Sequence, residues 1–429
     1  KKVEIKNRVF TAPMGCPLAQ HADGRLNEYG VYFYGRFAKG GFGLVNAKTI
    51  LPVGPTSSRT LNLENENMFM DVHFMNEYAH AFGARTGCEV YHQGALASPA
   101  GGRVVMSSTE TVMPNGVHVK EMTPEDMEEV AQMFVKGATL IKRAGFDSIL
   151  LHYGHGWLMA GFLSPLLNQR KDKYGGSVEN RARFPMMVLD RIREKVGRDL
   201  LIEYRISGSE CVPGGFEVNE CIEFFKLVQD RIDIAHISAG VVREPRLRAI
   251  THPTSFLPEA CNAYLAKAVK ECPDIHIPVL TLGAFQQPEA IERVLANGEA
   301  DLVGIARGTI ADPYTVNKIK EGRPQDIVPC IKCFHCLDDF KNTHYYSCAV
   351  NPTAGRENQL DMLVPKEYTK KNVAILGGGP AGMKTALLAS ERGHTVTLYE
   401  AKNELGGQLN DADFMSFKYD LKNYKNYLI

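Results

Sequence analysis

The sequence predicts an α/β protein whose main body is a (β/α)8 TIM barrel, followed by two smaller units. Three observations predict it. Eight short apolar, β-branched runs recur over about the first 310 residues, each separated from the next by a helical pattern. Polar residues gather at the C-terminal ends of run after run, the face on which barrel active sites are built. The chain has 429 residues, more than the roughly 250 that a barrel needs.

The runs are residues 9–15, 44–50, 88–94, 148–154, 201–207, 233–239, 278–284 and 302–308. Continuous apolar runs suit parallel strands covered on both faces. Between them, residues 126–144, 180–196 and 219–230 carry amphipathic helical periodicity. Thr123-Pro124-Glu125-Asp126 has the form of a helix start: a hydroxyl cap, proline at the first position, then acids near the positive end of the dipole. An open doubly wound sheet is the alternative, and the count of eight favours the barrel. Strand-end candidates are Pro13, Met14, Gln93, His152, His155, Arg205, Ser238, Gly240, Gly283 and Arg307.

The expected divisions are a barrel over 1–325, a cysteine-bearing segment over 326–365 and a partial nucleotide-binding unit over 366–429. The sequence opens on Lys1-Lys2-Val3 without Met, and the last unit stops at Ile429 after few strands. A piece of a longer chain is therefore expected.

Lys+Arg and Asp+Glu both total 49, so the formal net charge is zero. That speaks against a nucleic-acid footprint, which needs a basic face. No apolar stretch reaches the roughly 18 residues of a membrane span. Six of the ten cysteines are scattered (Cys16, Cys88, Cys211, Cys221, Cys261 and Cys272) and four crowd into 330–348. One tight cluster in a large chain reads as a reduced, cytoplasmic, metal-binding protein rather than a secreted disulfide framework.

That cluster, Cys330-x2-Cys333-x2-Cys336-x11-Cys348, is the strongest local signal. Short loops let three thiolates converge, and a fourth returns from a nearby turn. Four thiolates suit a 4Fe–4S cluster. Four-cysteine zinc is the alternative, although zinc sites usually present two separated pairs. His335 lies inside the run as a spacer.

Residues 373–376 read as a strand, Gly377-Gly378-Gly379-Pro380-Ala381-Gly382 as a glycine turn, and 383–392 as a helix. A second strand over 395–399 ends at Glu400. Strand, glycine turn, helix and an acid about twenty residues on make a dinucleotide fingerprint. An acid at Glu400 favours FAD or NAD over NADP at this site.

In the barrel, His152 and His155 stand three apart at a strand end. They could aim at one acceptor atom in an oxyanion-type role, bind a metal, or simply pack. No carboxylate sits nearby in sequence to complete a metal site.

Several segments together resemble the Old Yellow Enzyme family: Thr11-Ala12-Pro13-Met14-Gly15, His92-Gln93-Gly94, His152-x-x-His155-Gly156, Asn168-Gln169-Arg170, the run from Asp172 to Phe184, Ser238-Ala239-Gly240 and Ala306-Arg307. The cysteine cluster and C-terminal unit resemble its multidomain iron–sulfur branch. That branch includes 2,4-dienoyl-CoA, 2-enoate and bile-acid enoate reductases and trimethylamine dehydrogenase.

The resemblance implies that Pro13, Met14, Gly15 and Ala47 line FMN and that Gln93 holds its pyrimidine edge. Arg205 would stabilise negative charge on the reduced ring. Gly240, Gly283, Ala284, Ala306 and Arg307 would cradle the phosphate. Cys330, Cys333, Cys336 and Cys348 would hold the 4Fe–4S cluster. Gly377, Gly379, Ala381, Gly382, Glu400 and Gln408 would bind FAD, or ADP in a vestigial site. NAD(P)H, with NADH favoured, would supply electrons. The histidine pair would hold the substrate's activating group.

Two departures matter. A tyrosine that often donates a proton is here Trp157, whose indole N–H cannot act as an acid, so Tyr153, water or another residue must serve. Arg170 matches a substrate-side position, but Arg243 stands where a histidine is expected. The segment 98–119 is expected to shape the pocket.

The main expectation is an ene-reductase that passes electrons from NAD(P)H through FAD and the cluster to FMN, and then to an activated C=C bond of a small unsaturated substrate. The alternative is an amine dehydrogenase like trimethylamine dehydrogenase, donating electrons to a protein. Against it, the cysteine that would bind flavin covalently aligns with Gly15, Cys16 being one position off, and an expected tyrosine aligns with His152. A third class, an electron-transfer module without substrate chemistry, is disfavoured by the histidine pair. A homo-oligomer is a further expectation, by analogy with relatives.

Overall fold

The computed structural model describes residues 3–15, 25–49, 51, 68–342, 347–359 and 369–429. Eight parallel strands close a barrel: β1 (Val9–Thr11), β2 (Leu44–Lys48), β3 (Arg85–Val90), β4 (Ser148–His152), β5 (Leu201–Ser207), β6 (Ile234–Ser238), β7 (Val279–Thr281) and β8 (Leu302–Ile305). Each pairs with its neighbour in sequence, and β8 closes on β1 through Val9↔Val303 and Thr11↔Ile305.

All eight expected runs are strands, yet most stop short of their predicted ends. The residues past those ends leave the ladder to form loops, several of which border the main cavity. Ile50 lies outside the described residues, as does Cys16. Burial on both faces explains the apolar runs: every residue of β4 and β6 is buried.

The helix Pro124–Arg143 starts as its sequence predicts. Thr123 caps it in a capping box with Asp126, and Pro124 opens it. Val178–Val196 and Val218–Val228 cover the next strands, burying Phe184, Leu189, Phe224 and Phe225 against the barrel. At about 25 cal/mol per Å2, such aromatic and aliphatic contacts supply most of the favourable folding term. After β3 the chain makes a small three-stranded sheet from Met106–Ser107, Thr111–Val112 and His118–Glu121.

Beyond the barrel, β9 (Asn372–Leu376) and β10 (Thr395–Tyr399) pair in parallel around the helix Pro380–Glu391. The closing helix Tyr419–Leu428 packs against that helix. Tyr424, Leu428 and Met383 share a buried cluster with Ala311 and Val350, which docks this unit on the barrel. Its sheet is only partly covered: Leu376 is 84% and Tyr399 57% exposed. Among the described residues, no helix is long and apolar enough to cross a membrane.

Candidate active site

A cavity of ≈ 290 Å3 opens at the C-terminal ends of the barrel strands. It is bordered by Pro13, Met14 and Gly15 after β1, Lys48 on β2, Glu89 on β3, and His152, His155 and Trp157 at the end of β4. Arg205 on β5, Gly283 and Ala284 after β7, and Ala306 and Arg307 after β8 complete it. The barrel thus brings together residues separated by almost 300 positions.

Glu89 organises the floor. Its carboxylate is buried and takes the Arg205 guanidinium at 3.0 Å, His152 Nδ1 at 3.1 Å and Lys48 Nζ at 3.8 Å. Burial alone would raise its pKa, but His152, Lys48 and Arg205 overcome that and hold it far below the usual carboxylate range. Glu89 is therefore ionised.

An ionised Glu89 fixes the histidine tautomers. With the hydrogen on His152 Nδ1, 3.1 Å from the carboxylate, His152 Nε2 accepts from His155 Nδ1 at 2.8 Å. His155 Nε2 is left buried without a partner, and His155 borders the cavity. Burial pushes the His152 pKa down to about 4 and that of His155 well below its ordinary value, so both are neutral near pH 7. Nε2 of His155 becomes a donor only when the pair takes up one proton, whose charge Glu89 balances. A bound oxyanion supplies the incentive for that uptake.

The cavity holds four cations, Lys48, Arg205, Arg307 and Lys332, and one carboxylate, Glu89. Arg205 Nε, Arg307 Nη1 and Trp157 Nε1 are buried donors without partners. Buried polar groups are normally satisfied, so these donors suit an anionic ligand with several acceptors, as a flavin phosphate and ring carbonyls provide. Gly283 and Ala284 both have positive φ, 149° and 60°. A side chain at Gly283 would sit 2.9 Å from Asn262 N, so only glycine lets the loop pass.

Several expected site residues lie elsewhere. Gln93 does not border the cavity; it precedes the short 3-10 helix Gly94–Leu96, and Glu89, four residues earlier, points in instead. Ala47 and Gly240 are buried behind the lining. Tyr153 is excluded as a proton source by strand alternation: next to inward-facing His152, it points outward and packs edge-to-face on Phe134 and Tyr204. Burial raises its pKa well above the ordinary phenol.

Arg170 is not free to meet a substrate. It pairs with Asp172 at 2.6 Å and donates to the carbonyls of Ser108 and Met122 at 3.0 and 2.9 Å. Arg243 is outside the lining, where Val242 and His252 stand instead, and so is the whole of 98–119. Sequence reasoning missed Glu89 and Lys48 because single charges inside apolar strands form no motif.

The four cluster cysteines border one small cavity, with Arg307 and Phe334, and all are free thiols. Lys332 and Phe334 have φ of 50° and 64°, a backbone that curls the loop around that space. Among the described residues no group of three or more His, Cys, Asp or Glu side chains is drawn in tightly enough for a single metal ion. Four thiols around one shared cavity are a donor set that suits a multi-atom cluster. Cys330 borders both this cavity and the main one.

A buried clasp ties this loop to its surroundings. Cys330 N donates to Gln286 Oε1 at 2.7 Å, Gln286 Nε2 to Asp420 Oδ1 at 3.1 Å, and Lys332 Nζ lies 3.3 Å from Asp420 Oδ2.

In the C-terminal unit, Gly377 has φ 102°, and a Cβ on Gly382 would lie 1.9 Å from Gly377 O, so helix and turn meet only through glycine. Gly379 and Ala381 lie at the start of Pro380–Glu391, whose N-terminal amides can receive a pyrophosphate. Glu400 directly follows β10, and its carboxylate accepts from Gly378 N at 2.6 Å and Lys402 N at 2.8 Å. Gln408 precedes the short helix Leu409–Ala412 and makes no capping bond.

Comparison with known proteins agrees with this layout. The model of the NADH:flavin oxidoreductase / NADH oxidase family matches residues 1–326, and that of the NAD(P)-binding Rossmann-like domain matches 375–423. An NADH oxidase of Thermoanaerobacter brockii is 36% identical over 438 residues, covering 99% of this chain and 65% of that protein. The chain thus spans just under two thirds of that relative. A solved complex of 2-naphthoyl-CoA reductase with 2-naphthoyl-CoA superposes with a TM-score of 0.90 at 29% identity, over 99% of this chain and 66% of that one. Histamine dehydrogenase from Rhizobium sp. 4-9 gives 0.87 at 27% identity, over 99% and 62%.

Proposed function

The chain belongs to the NADH:flavin oxidoreductase / NADH oxidase family, and from that premise we propose that it is the catalytic part of an ene-reductase. FMN would occupy the barrel cavity. Cys330, Cys333, Cys336 and Cys348 would hold a 4Fe–4S cluster, and the C-terminal glycine turn would take FAD or NAD(H). Electrons from NADH would reach an activated C=C bond of an enoate, enoyl thioester or enone.

The observation that carries this reading is the charge of the cavity, with Lys48, Arg205 and Arg307 against the single carboxylate of Glu89, Lys332 being paired with Asp420 outside the lining. A cavity of that sign attracts an anionic ligand and stabilises the enolate that forms when a conjugated carbonyl is reduced. It opposes an ammonium substrate, as the amine-dehydrogenase alternative requires. Bound FMN supplies hydride chemistry, and the protein's part is orientation and charge. Arg205 would face negative charge on the ring, and Arg307 the phosphate. His155 Nε2, backed by His152 and Glu89, would take the substrate's oxygen.

The likeness to histamine dehydrogenase, among other amine-oxidising relatives, supports the amine-dehydrogenase reading. Anaerobic assay decides between the two. NADH consumption that depends on an added enoate, thioester or enone, with saturated product formed, is expected. Flavin bleaching by amines without any such NADH consumption would overturn the proposal.

A further inference from the structure

Reduction of a conjugated C=C bond needs a proton at the α-carbon as well as a hydride at the β-carbon, and the residue expected to give it is missing. Trp157 has no acidic proton. Tyr153 faces away from the cavity among Phe134 and Tyr204. The donor must therefore be sought among the titratable groups that do border the cavity.

Among the described residues those groups are few. Glu89 is ionised and held by His152 and Arg205, so it has no proton to give. His152 and His155 form the relay that meets the substrate's oxygen. His252 is held down at about 3, chiefly by burial and then by Arg307, and is neutral. Arginines do not deprotonate. Cys330 belongs to the thiol cluster. Lys332 is clasped beside that cluster by Asp420, Tyr419 and the Leu257 carbonyl.

Lys48 remains. It ends β2, borders the cavity together with His152, His155 and Trp157, and keeps 27% of its side chain accessible. Its ammonium sits 3.8 Å from Glu89 Oε1 and 5.1 Å from the centroid of the Tyr91 ring. Tyr91 in turn lies tilted against Trp157, with ring centroids 4.6 Å apart, so Tyr91 touches both Lys48 and the indole that stands in for the expected tyrosine. Burial works against its charge, but Tyr91 and Glu89 outweigh it, so the group stays protonated near pH 7. An ordinary lysine (about 10.4) and an ordinary tyrosine (about 10) are acids of similar strength, and Tyr91 and Glu89 raise Lys48 above that value, so its ammonium is fully charged and a weaker acid than a free lysine.

We propose that Lys48 is the proton donor to the α-carbon, a role that rests on the ene-reductase reading. The β-carbon receives a hydride, with its electron pair, from the reduced flavin, which is oxidised. The π electrons of the C=C bond pass to the α-carbon and the carbonyl. The α-carbon then bonds to a proton from Lys48 Nζ, whose N–H electron pair stays on nitrogen. Solvent returns the proton to the amine.

The test compares wild type, K48M and K48R as holoenzymes in D2O. The probes are an α-methyl-substituted 2-enoate, its thioester and the matching enone, with FMN content measured for each protein. K48R keeps the cation that an anionic ligand needs but cannot release a proton, so it carries the test if K48M loses flavin. Wild type is expected to place deuterium on one face of the α-carbon. Both variants are expected to form product about 100-fold or more slowly, with deuterium on both faces. One-faced deuteration by K48R within about threefold of the wild-type rate overturns the assignment while leaving the ene-reductase reading intact. No reduction of any probe by wild type overturns both.

Discussion

Oε2 of Glu89 lies 3.1 Å from Nδ1 of His152 and, on its other side, 3.0 Å from Nη1 of Arg205. One buried carboxylate thus sets the tautomer of the histidine pair and compensates the guanidinium at the floor of the cavity.

Removing that carboxylate should be costly. Glu89→Ala leaves Arg205 and Lys48 buried without their counter-charge, and breaking a buried pair typically costs about 3–5 kcal/mol. Denaturant unfolding followed by circular dichroism is expected to shift to a clearly lower midpoint, with loss of bound flavin. An unchanged midpoint would show that the carboxylate is not the organiser of the floor.

Acid should destabilise the barrel well before its surface carboxylates titrate. An unfolded histidine titrates near 6.5, whereas His152 and His92 are held at about 4 in the fold, burial being the main cause in each. Between those values the unfolded chain binds protons that the folded chain refuses. Stability is therefore complete above about pH 6.5 and falls as pH drops toward 4, by up to about 1.4 kcal/mol per pH unit for each such histidine. Thermal midpoints measured from pH 8 to 5 are expected to fall below 6.5, and less steeply in His152→Asn.

Iron should depend on all four clustered cysteines. Iron analysis of the anaerobically purified protein is expected to give about four atoms per chain beyond any zinc, and Cys333→Ala is expected to lose most of them. One zinc per chain and no iron would assign the thiols to a structural zinc site.

The clasp under the cluster predicts a docking defect. Asp420→Ala leaves Lys332 buried without its carboxylate and Gln286 without one partner. Limited proteolysis is expected to release the C-terminal unit from this variant faster than from wild type, whereas Asp420→Asn, which keeps the bond to Gln286, should be intermediate.

The barrel was legible because its strands are buried on both faces, which leaves continuous runs such as Ile149-Leu150-Leu151. His152, His155, Arg205 and the cysteines were legible because they stand at strand ends or in a spaced cluster. Gln93 lies one short turn past its strand, where the chain enters a 3-10 helix outside the cavity lining. Tyr153 misled because alternation turns it away from its neighbour His152. Arg170 reads as a free basic residue until Asp172, two positions on, is seen to occupy it. Glu89 and Lys48 were invisible for the opposite reason: only the register of neighbouring strands, which pairs Lys48 with Glu89 and His152 with Arg205, gives isolated charges a shared role.

The most direct test of the central claim is a single turnover. The holoenzyme is reduced with NADH under anaerobic conditions and mixed rapidly with an enoate, an enoyl thioester or an enone while flavin absorbance is followed. The account predicts fast return of oxidised flavin with one of these compounds and recovery of the saturated product. No reoxidation by any of them, together with bleaching of the oxidised enzyme by an amine, would contradict it.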